Sequence, residues 1–424
     1  MFRKYHTKTY MNILVIGNGF DLAHGLDTKY KDFLEIINLY ENMRYIDRDT
    51  QFDVYMKNIS GKKIQVKLKQ YVTDQIAGGG IKDETKIFLD VKKKNFWLLY
   101  FNMLLDDELK NKDGWIDFET EIKNVVKKIS STIDEFGMNI LDNNIASIGD
   151  STIINAINTK GIRRVKSYQE IIDFLEKDLQ VMIQCLEVYL EKYVNYFLRE
   201  RMINVISKDI IDDKIDKVLS FNYTKTFEIL YDLDQTVEYD YIHGKANLEE
   251  AKENNMVLGI DEYLPDDKKN EDVKFIAFKK FYQRIYKETG SKYREWLENI
   301  ANENEKYIGK IEFYRNKLKL DAGGDEKRKS WEKELKNLID NPPEHNLYIF
   351  GHSLDITDKD ILKELFISRN KHIVIYYHDK ETLGRQITNL VKIIGQDELI
   401  RRTGENKKDI EFRKQQVMVN MTIL

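Results

Sequence analysis

Several kinds of residue and segment are scarce in this sequence. Its one cysteine, Cys185, excludes a disulfide framework and a zinc module built from cysteines. No run of about 18 apolar residues occurs, so no transmembrane helix and no membrane partner are expected. Residues 1–8 lack the apolar core of a signal peptide, which favours a cytoplasmic protein. Only 3 prolines occur, as is typical of a helix-rich chain.

The composition is that of a globular protein. Hydrophobic residues make up 42% of the 424 residues and charged residues 33%, so the chain can bury a large core. The net charge of -4 makes nucleic acid an unexpected partner. A chain of this length can hold two or three domains, or one domain with large insertions.

The most informative motif lies in residues 12–26. The apolar run Ile13–Ile16 predicts a buried parallel strand, which breaks at Gly17-Asn18-Gly19 before helical spacing resumes. Many α/β folds build a phosphate site in this way, because glycines let the backbone approach a ligand and the following helix offers unpaired N–H groups. The third glycine of the dinucleotide fingerprint is missing. The motif therefore indicates a ligand site without identifying the ligand.

Apolar runs elsewhere predict strands of the same sheet: Val218–Phe221, Leu347–Phe350 and Ile373–Tyr377. Val237–Ile242 alternates as a further strand. Helical spacing follows several of these runs, and strands that alternate with helices imply a parallel sheet with helices on both faces. The predicted fold class is therefore α/β.

The remaining stretches divide the chain. We predict a discontinuous α/β nucleotide-binding core from residues 10–45, 217–265 and 341–400. A helical insertion is predicted over residues 84–216 and a charged helical insertion over residues 266–340. The second insertion is dense in Lys and Glu, which is typical of solvated helix faces.

Glycine-rich or polar motifs stand at four predicted strand ends: Gly17-Asn18-Gly19-Phe20-Asp21, Phe221-Asn222-Tyr223-Thr224, Ile242-His243-Gly244 and Gly351-His352-Ser353-Leu354. Ligands of parallel sheets bind outside the carboxyl ends of the strands, so we expect these motifs to share one site. A structural role is the alternative for several of these residues. Asn222 and Asp21 can cap helices, His24 can belong to the core and His352 to the surface.

The order of these motifs resembles two known groups of proteins. A glycine turn, an Asn after a strand, His-Gly and Gly-x-Ser-Leu follow one another in sirtuin-like NAD-binding domains. The complete first motif, residues 16–26, looks like the AbiH group of bacterial abortive-infection proteins, as does the pairing of residues 218–224 with 348–354. The resemblance implies a Rossmann-like (sirtuin-like) fold in an anti-phage effector that binds and hydrolyses NAD or a related nucleotide.

The sirtuin-like resemblance also implies roles for single residues. Asn222 would orient the nicotinamide ribose and a water, and His243 would be the general base near the ribose hydroxyls. The glycine turn would hold the pyrophosphate, and Ser353 would lie near the adenosine-side ribose. All residues expected to contact the nucleotide are Gly17, Asn18, Gly19, Phe20, Asp21, His24, Tyr223, Gly351 and Ser353. This route needs no metal, but it does need an aimed water and the exclusion of solvent.

Departures from the sirtuin pattern leave alternatives open. Deacetylating sirtuins usually carry a four-cysteine zinc module, which this chain cannot build, so protein deacetylation is not expected. One alternative is a nucleotide-sensing module without catalysis. Another is a metal-dependent nuclease or phosphodiesterase, with Asp21, His24, Asp117 and Glu119 around a divalent ion. A helix N-cap followed by a first-turn acid also explains Asp117 and Glu119.

The partners expected are a nucleotide ligand and a phage-derived trigger. A second copy of the chain is left open by the sequence.

Overall fold

The computed structural model describes residues 10–43, 67, 70–71, 91, 94–111, 117–139, 145–161, 165–200, 203–211, 214–248, 253–320, 324–368, 371–404 and 408–420. Residues 1–9 lie outside this description, as do residues 44–45 of the predicted core and the predicted start of the first insertion at residue 84.

One parallel sheet forms the centre of the molecule. The strands of the chain are β1 (Tyr10–Ile16), β2 (Val205–Ser207), β3 (Lys217–Ser220), β4 (Glu238–Tyr241), β5 (Glu344–Phe350), β6 (His372–Tyr377), β7 (Ile410–Lys414) and β8 (Met418–Asn420). The order in the sheet is β4-β3-β1-β5-β6-β7, and every neighbouring pair is parallel. This confirms the predicted mainly parallel α/β sheet. The sequence did not predict β7, which lies beyond residue 400, or the antiparallel pair β2 and β8.

Helices account for most of the other residues that the structure describes. They are α1 (Asn18–Ala23), α2 (Tyr30–Met43), α3 (Phe96–Asn111), α4 (Phe118–Phe136), α5 (Ser151–Lys160), α6 (Tyr168–Val188), α7 (Asn195–Arg199), α8 (Lys208–Ile211), α9 (Thr226–Leu230), α10 (Lys280–Tyr286), α11 (Lys292–Lys319), α12 (Gly324–Asp340), α13 (Lys359–Ile367), α14 (Lys380–Ile394) and α15 (Gln396–Thr403). A π-helical turn, Tyr189–Val194, joins α6 to α7. Among the described helices, none has the length and apolar character needed to cross a membrane.

The central strands β1, β3, β5 and β6 are buried on both faces, which explains why they read as continuous apolar runs. On β1, Ile13 and Val15 pack with residues of α11, α13 and α14. Leu14 and Ile16 point to the opposite face, where they pack with α1 and α9. Side chains of a strand alternate between its two faces, so one short run supplies both layers of the core.

The helical regions differ in how deeply they are buried. Helices α3 to α6 share an apolar core with α2, in which the rings of Phe101 and Phe118 stack 4.0 Å apart. Helices α11 and α12 form a hairpin, and α12 buries none of its residues. The hairpin therefore extends into solvent, as its Lys- and Glu-rich sequence predicts.

The strand order reverses direction at β1. The chain continues from β1 to β3 on one side of it, and from β5 to β6 on the other. The segments that follow β1, β3, β4 and β5 therefore lie at one edge of the sheet, beside the reversal. This is where open parallel sheets bind their ligands.

Candidate functional site

The turns that follow β1 and β5 are in direct backbone contact. Gly19 N–H donates to the Gly351 carbonyl at 2.8 Å, Gly17 N–H to Phe350 at 3.3 Å, and Phe20 N–H to Gly17 at 2.8 Å. A Cβ on Gly351 would lie 2.0 Å from the Phe20 nitrogen, so only glycine permits this approach. The glycines thus serve loop packing. Among the N–H groups that were expected to hold a pyrophosphate, those of Gly17 and Gly19 are bonded to carbonyls of Phe350 and Gly351.

Asp21 and Asn222 tie the first turn to the segment after β3. The buried Asp21 carboxylate accepts hydrogen bonds from the hydroxyls of Thr224 and Thr226, at 2.6 and 2.7 Å. The Asn222 amide donates to the Gly17 carbonyl at 3.0 Å. Burial raises the pKa of Asp21 to about 6, although these hydrogen bonds oppose the rise. Asp21 therefore fastens two loops together and does not cap its own helix.

His24 and Phe20 lie in the core beneath the turn. The two ring nitrogens of His24 contact the Phe20 carbonyl and the Tyr231 hydroxyl, each at 2.7 Å. Burial lowers the pKa of His24 to about 4, against the effect of its backbone hydrogen bond. The Phe20 ring is fully buried and packs against Phe227 and Phe350. Both residues were predicted to contact a nucleotide, but their contacts here are those of core residues.

The other predicted contact residues lie nearer the surface. Asn18 is exposed, and its side-chain oxygen accepts a hydrogen bond from Thr28 at 2.6 Å. Ser353 is also exposed, in the turn that follows β5. The half-buried Tyr223 donates its hydroxyl to the Val257 carbonyl at 2.7 Å.

A buried group of charged side chains lies at the same edge of the sheet. We call it the Asp358 cluster: His243, His352, Asp358, Lys280 and Glu119. Oδ1 of Asp358 is 3.1 Å from His243 Nε2 and 2.9 Å from Lys280 Nζ. Lys280 Nζ is also 2.7 Å from Glu119, and His352 Nε2 lies 3.8 Å from Asp358 Oδ2. One carboxylate thus faces two imidazoles and an ammonium.

Distant parts of the chain supply this cluster. His243 follows β4, and His352 follows β5. Asp358 immediately precedes α13, Lys280 begins α10, and Glu119 lies in the first turn of α4.

Burial and charge together fix the protonation of the cluster. Burial alone would raise the pKa of Asp358, but Lys280 and His243 outweigh it and lower that pKa well below its usual range. Burial and the charge of Lys280 lower the pKa of His243, against the pull of Asp358. Burial raises the pKa of Glu119, against the attraction of Lys280. At neutral pH, Asp358 is therefore ionised and His243 is neutral.

Asp358 also determines which nitrogen of His243 carries the proton. An ionised carboxylate only accepts hydrogen bonds, so Nε2 of His243 is the protonated nitrogen. Nδ1 then carries a lone pair, and it is buried without a hydrogen-bond partner among the described residues. A neutral imidazole held by a carboxylate, with its second nitrogen free, is the arrangement of a general base.

His352 has a defined tautomer of its own. Leu354 N–H donates to His352 Nδ1 at 2.9 Å, so its proton lies on Nε2, which faces Asp358. Leu354 adopts φ of 57°, a strained value for a branched residue and one that is concentrated at functional sites. The Phe221 ring packs edge-on against His352 and His243, with centroids 4.3 and 5.6 Å apart.

Sequence reasoning missed part of this cluster. His352 was expected at the surface, but it is 5% exposed. The sequence gives a weak indication of Asp358, because this acidic residue lies between a strand-end motif and a run with helical spacing. It gives none of Lys280, since this residue lies in a stretch that reads as a solvated helix face.

The four ligands of the metal-dependent alternative do not come together. Asp117 caps α4 by accepting from Glu119 N–H at 3.0 Å, which confirms its N-cap reading. Asp21 and His24 bond to the partners described above, and Glu119 bonds to Lys280. Within the described part of the chain, no three His, Cys, Asp or Glu side chains are grouped as metal ligands.

Comparison with models of known protein families gives a match. The family model described as "Bacteriophage abortive infection AbiH" matches residues 13–378, which include every residue of the Asp358 cluster. No curated protein and no solved structure matches the chain.

Proposed function

The chain belongs to the AbiH family of bacteriophage abortive-infection proteins, and from this premise we propose that it cleaves the N-glycosidic bond of NAD or a related nucleotide. His243 is the proposed general base. The observation that carries the proposal is the state of its ring: Nε2 is held by Asp358 while Nδ1 is buried and unpartnered. The order of the strand-end motifs supports the choice of substrate.

The proposed reaction is a hydrolysis. The bond between ribose C1′ and the nicotinamide nitrogen breaks with its electron pair on nicotinamide, and the water oxygen bonds to C1′. His243 Nδ1 takes a proton from that water, so the products are nicotinamide, ADP-ribose and a proton. The buried surroundings of His243 exclude bulk solvent, as an oxocarbenium-like transition state requires.

Asn222 has a supporting part in this proposal. Its amide donates to the Gly17 carbonyl, so it holds the turn after β1 against the segment after β3. The water-orienting role implied by the sirtuin-like resemblance would fall to its side-chain oxygen.

The burial of His243 bears on when the protein acts. The residue is 4% exposed, so a substrate must displace the groups that cover its ring. Such a centre suits an effector that is idle until infection and is opened by a phage-derived trigger. We therefore expect cells to tolerate the protein before infection, and to lose NAD and stop growing afterwards.

The test combines a purified protein with infected cells. Purified protein is incubated with NAD, with or without extract of infected cells, and free nicotinamide is measured beside the His243→Ala variant. The proposal expects the wild type to release nicotinamide and ADP-ribose in equal amounts, and the His243→Ala variant to release neither at a comparable rate. Unchanged NAD in infected but protected cells would overturn it, and nucleotide binding without cleavage would instead support the sensing module. A nuclease should stop in EDTA, whereas this hydrolysis should continue.

A further inference from the structure

Lys280 is a buried lysine whose side chain is 4% exposed and contacts two carboxylates. Its Nζ lies 2.7 Å from Glu119 and 2.9 Å from Asp358. Neither carboxylate comes from its own element, since Glu119 belongs to α4 and Asp358 precedes α13. An ammonium in this position fixes both carboxylates at once.

The contacts of Lys280 lead directly to the proposed base. Glu119, Lys280, Asp358 and His243 form one continuous line in which neighbouring polar atoms are 2.7, 2.9 and 3.1 Å apart. Both Lys280 and His243 contact the same oxygen, Oδ1 of Asp358. Lys280 therefore controls the position and charge of the carboxylate that orients His243.

We propose that Lys280 is a positioning residue: its ammonium holds Asp358 ionised, in the orientation that accepts the hydrogen bond from Nε2 of His243. The cluster therefore depends on the packing of α4 and α10 beside it. This inference rests on the proposed function of His243 as a base. Lys280 reaches the reacting atoms only through Asp358, and its effect appears as the protonation state of His243.

The electrostatic setting includes groups from every element around the cluster. The charged and titratable residues near it are Tyr30, Asp117, Glu119, Tyr223, His243, Lys280, Arg284, His352, Asp355 and Asp358. Lys280 and Arg284 are the cations among them, and both lower the pKa of His243, after the larger effect of burial. Removing Lys280 takes away the cation that is nearer to Asp358, so we expect the cluster to bind a proton at higher pH.

The chain offers a matched control next to Lys280. Lys279 is 3% exposed, and its Nζ pairs with Glu262 at 2.9 Å, away from Asp358. Lys279→Met therefore removes an equally buried, ion-paired ammonium without touching the line to His243. Lys280→Arg keeps the charge and should retain most of the wild-type behaviour.

The experiment follows His243 by NMR of ¹⁵N-histidine in the full chain, with its signal assigned from His243→Gln. In Lys280→Met we expect the protonation midpoint of His243 to rise by about one to three pH units, the usual scale for a nearby charge, because the like charge of the ammonium no longer opposes the imidazolium. The acidic limb of the NAD turnover profile should move by the same amount. Lys279→Met should leave both unchanged.

A second variant covers the case in which Lys280→Met does not fold. The double variant Lys280→Met/Glu119→Gln removes one charge of each sign and leaves the contact between His243 and Asp358 in place. It should show the same rise in the His243 midpoint. A midpoint equal to that of the wild type in a folded Lys280 variant would overturn the proposal. If the wild type releases no nicotinamide, the proposed function fails, while the NMR midpoint still decides the role of Lys280.

Discussion

His24 and His243 are both buried histidines near ends of strands of the central sheet, yet the protein supports their rings in different ways. Each nitrogen of His24 contacts a protein oxygen at 2.7 Å. His243 contacts Asp358 through Nε2 alone, and its Nδ1 has no partner in the described part of the chain. Burial lowers the pKa of both rings, so both are neutral at pH 7.

The hydrogen-bond partners of the two rings indicate different roles for the two histidines. A buried polar atom without a partner costs about 1–3 kcal/mol, so most buried polar atoms in folded proteins are hydrogen-bonded. The turn around His24 satisfies its polar atoms and has the character of a scaffold. The Asp358 cluster leaves one nitrogen unsatisfied, and that nitrogen is the one suited to accept a proton.

The largest expected effect comes from exchanging each histidine for alanine. His243→Ala should lower the turnover of NAD by roughly 10²–10⁴-fold, the usual contribution of a general base. His24→Ala should instead destabilise the fold by about 2–4 kcal/mol, through lost packing and hydrogen bonds, and leave turnover per folded molecule nearly unchanged. Rates and urea unfolding of both variants check this. Full activity in a folded His243→Ala protein would remove His243 from the mechanism.

Two glycines test whether the turns after β1 and β5 are scaffold. Gly351 has φ of 69°, and its added Cβ would meet backbone at 2.0 Å, so Gly351→Ala should cost about 3 kcal/mol or more. Gly309 lies inside α11 with nothing near its Cβ position, so Gly309→Ala should stabilise the fold by up to about 1 kcal/mol. Urea unfolding of the two variants and the wild type measures both changes in the free energy of unfolding. Equal effects at the two positions would contradict the close contact between the turns.

The low pKa of His24 predicts a dependence of stability on pH. The unfolded chain protonates His24 near pH 6.5 and the folded chain near pH 4, so the unfolded state binds more protons between these values. The free energy of unfolding should therefore fall by about 2 kcal/mol from pH 7 to pH 5 on account of His24. Urea unfolding at pH 7 and pH 5 measures this fall in the wild type and in His24→Gln, and the two falls should differ by this amount. An equal fall in the two proteins would mean that burial does not lower the pKa of His24.

The smallest effect is expected at Ser353, which is exposed in the turn after β5. Ser353→Ala should change the free energy of unfolding by less than about 0.5 kcal/mol, as other surface substitutions do. Loss of one hydrogen bond to a ribose, worth about 1 kcal/mol, should raise KM about fivefold with kcat unchanged. An unchanged KM would separate Ser353 from the substrate and limit the site to the Asp358 cluster.

The sequence predicted the centre of the sheet well, and for a physical reason. Strands β1, β3, β5 and β6 are buried on both faces, so they carry apolar runs that stand out locally. The edge strand β7 reads Ile-Glu-Phe-Arg-Lys, with charged side chains that resemble a loop. Strands β2 and β8 are 3 residues each and are defined by their pairing with each other, which no local pattern reveals.

The candidate site was predictable only in part. His243 was found because a histidine before a glycine at a strand end is a local signal. Its support from Asp358 and Lys280 depends on contacts across 115 and 78 residues, which periodicity cannot show. The glycine turn was a local signal too, but the N–H groups of Gly17 and Gly19 are bonded to a loop far along the chain.

The long separations within the site have a consequence for synthesis of the protein. Gly17 meets Asn222 across 205 residues, and Asp358 provides the carboxylate for His243 near the end of the matched region. A growing chain on the ribosome that has not yet reached Asp358 lacks the carboxylate that contacts His243. Strand β5, which pairs with β1 in the folded sheet, is also absent until the growing chain has passed residue 350. The Asp358 cluster thus forms after most of the polypeptide has been made, and a chain that terminates before Asp358 cannot carry it.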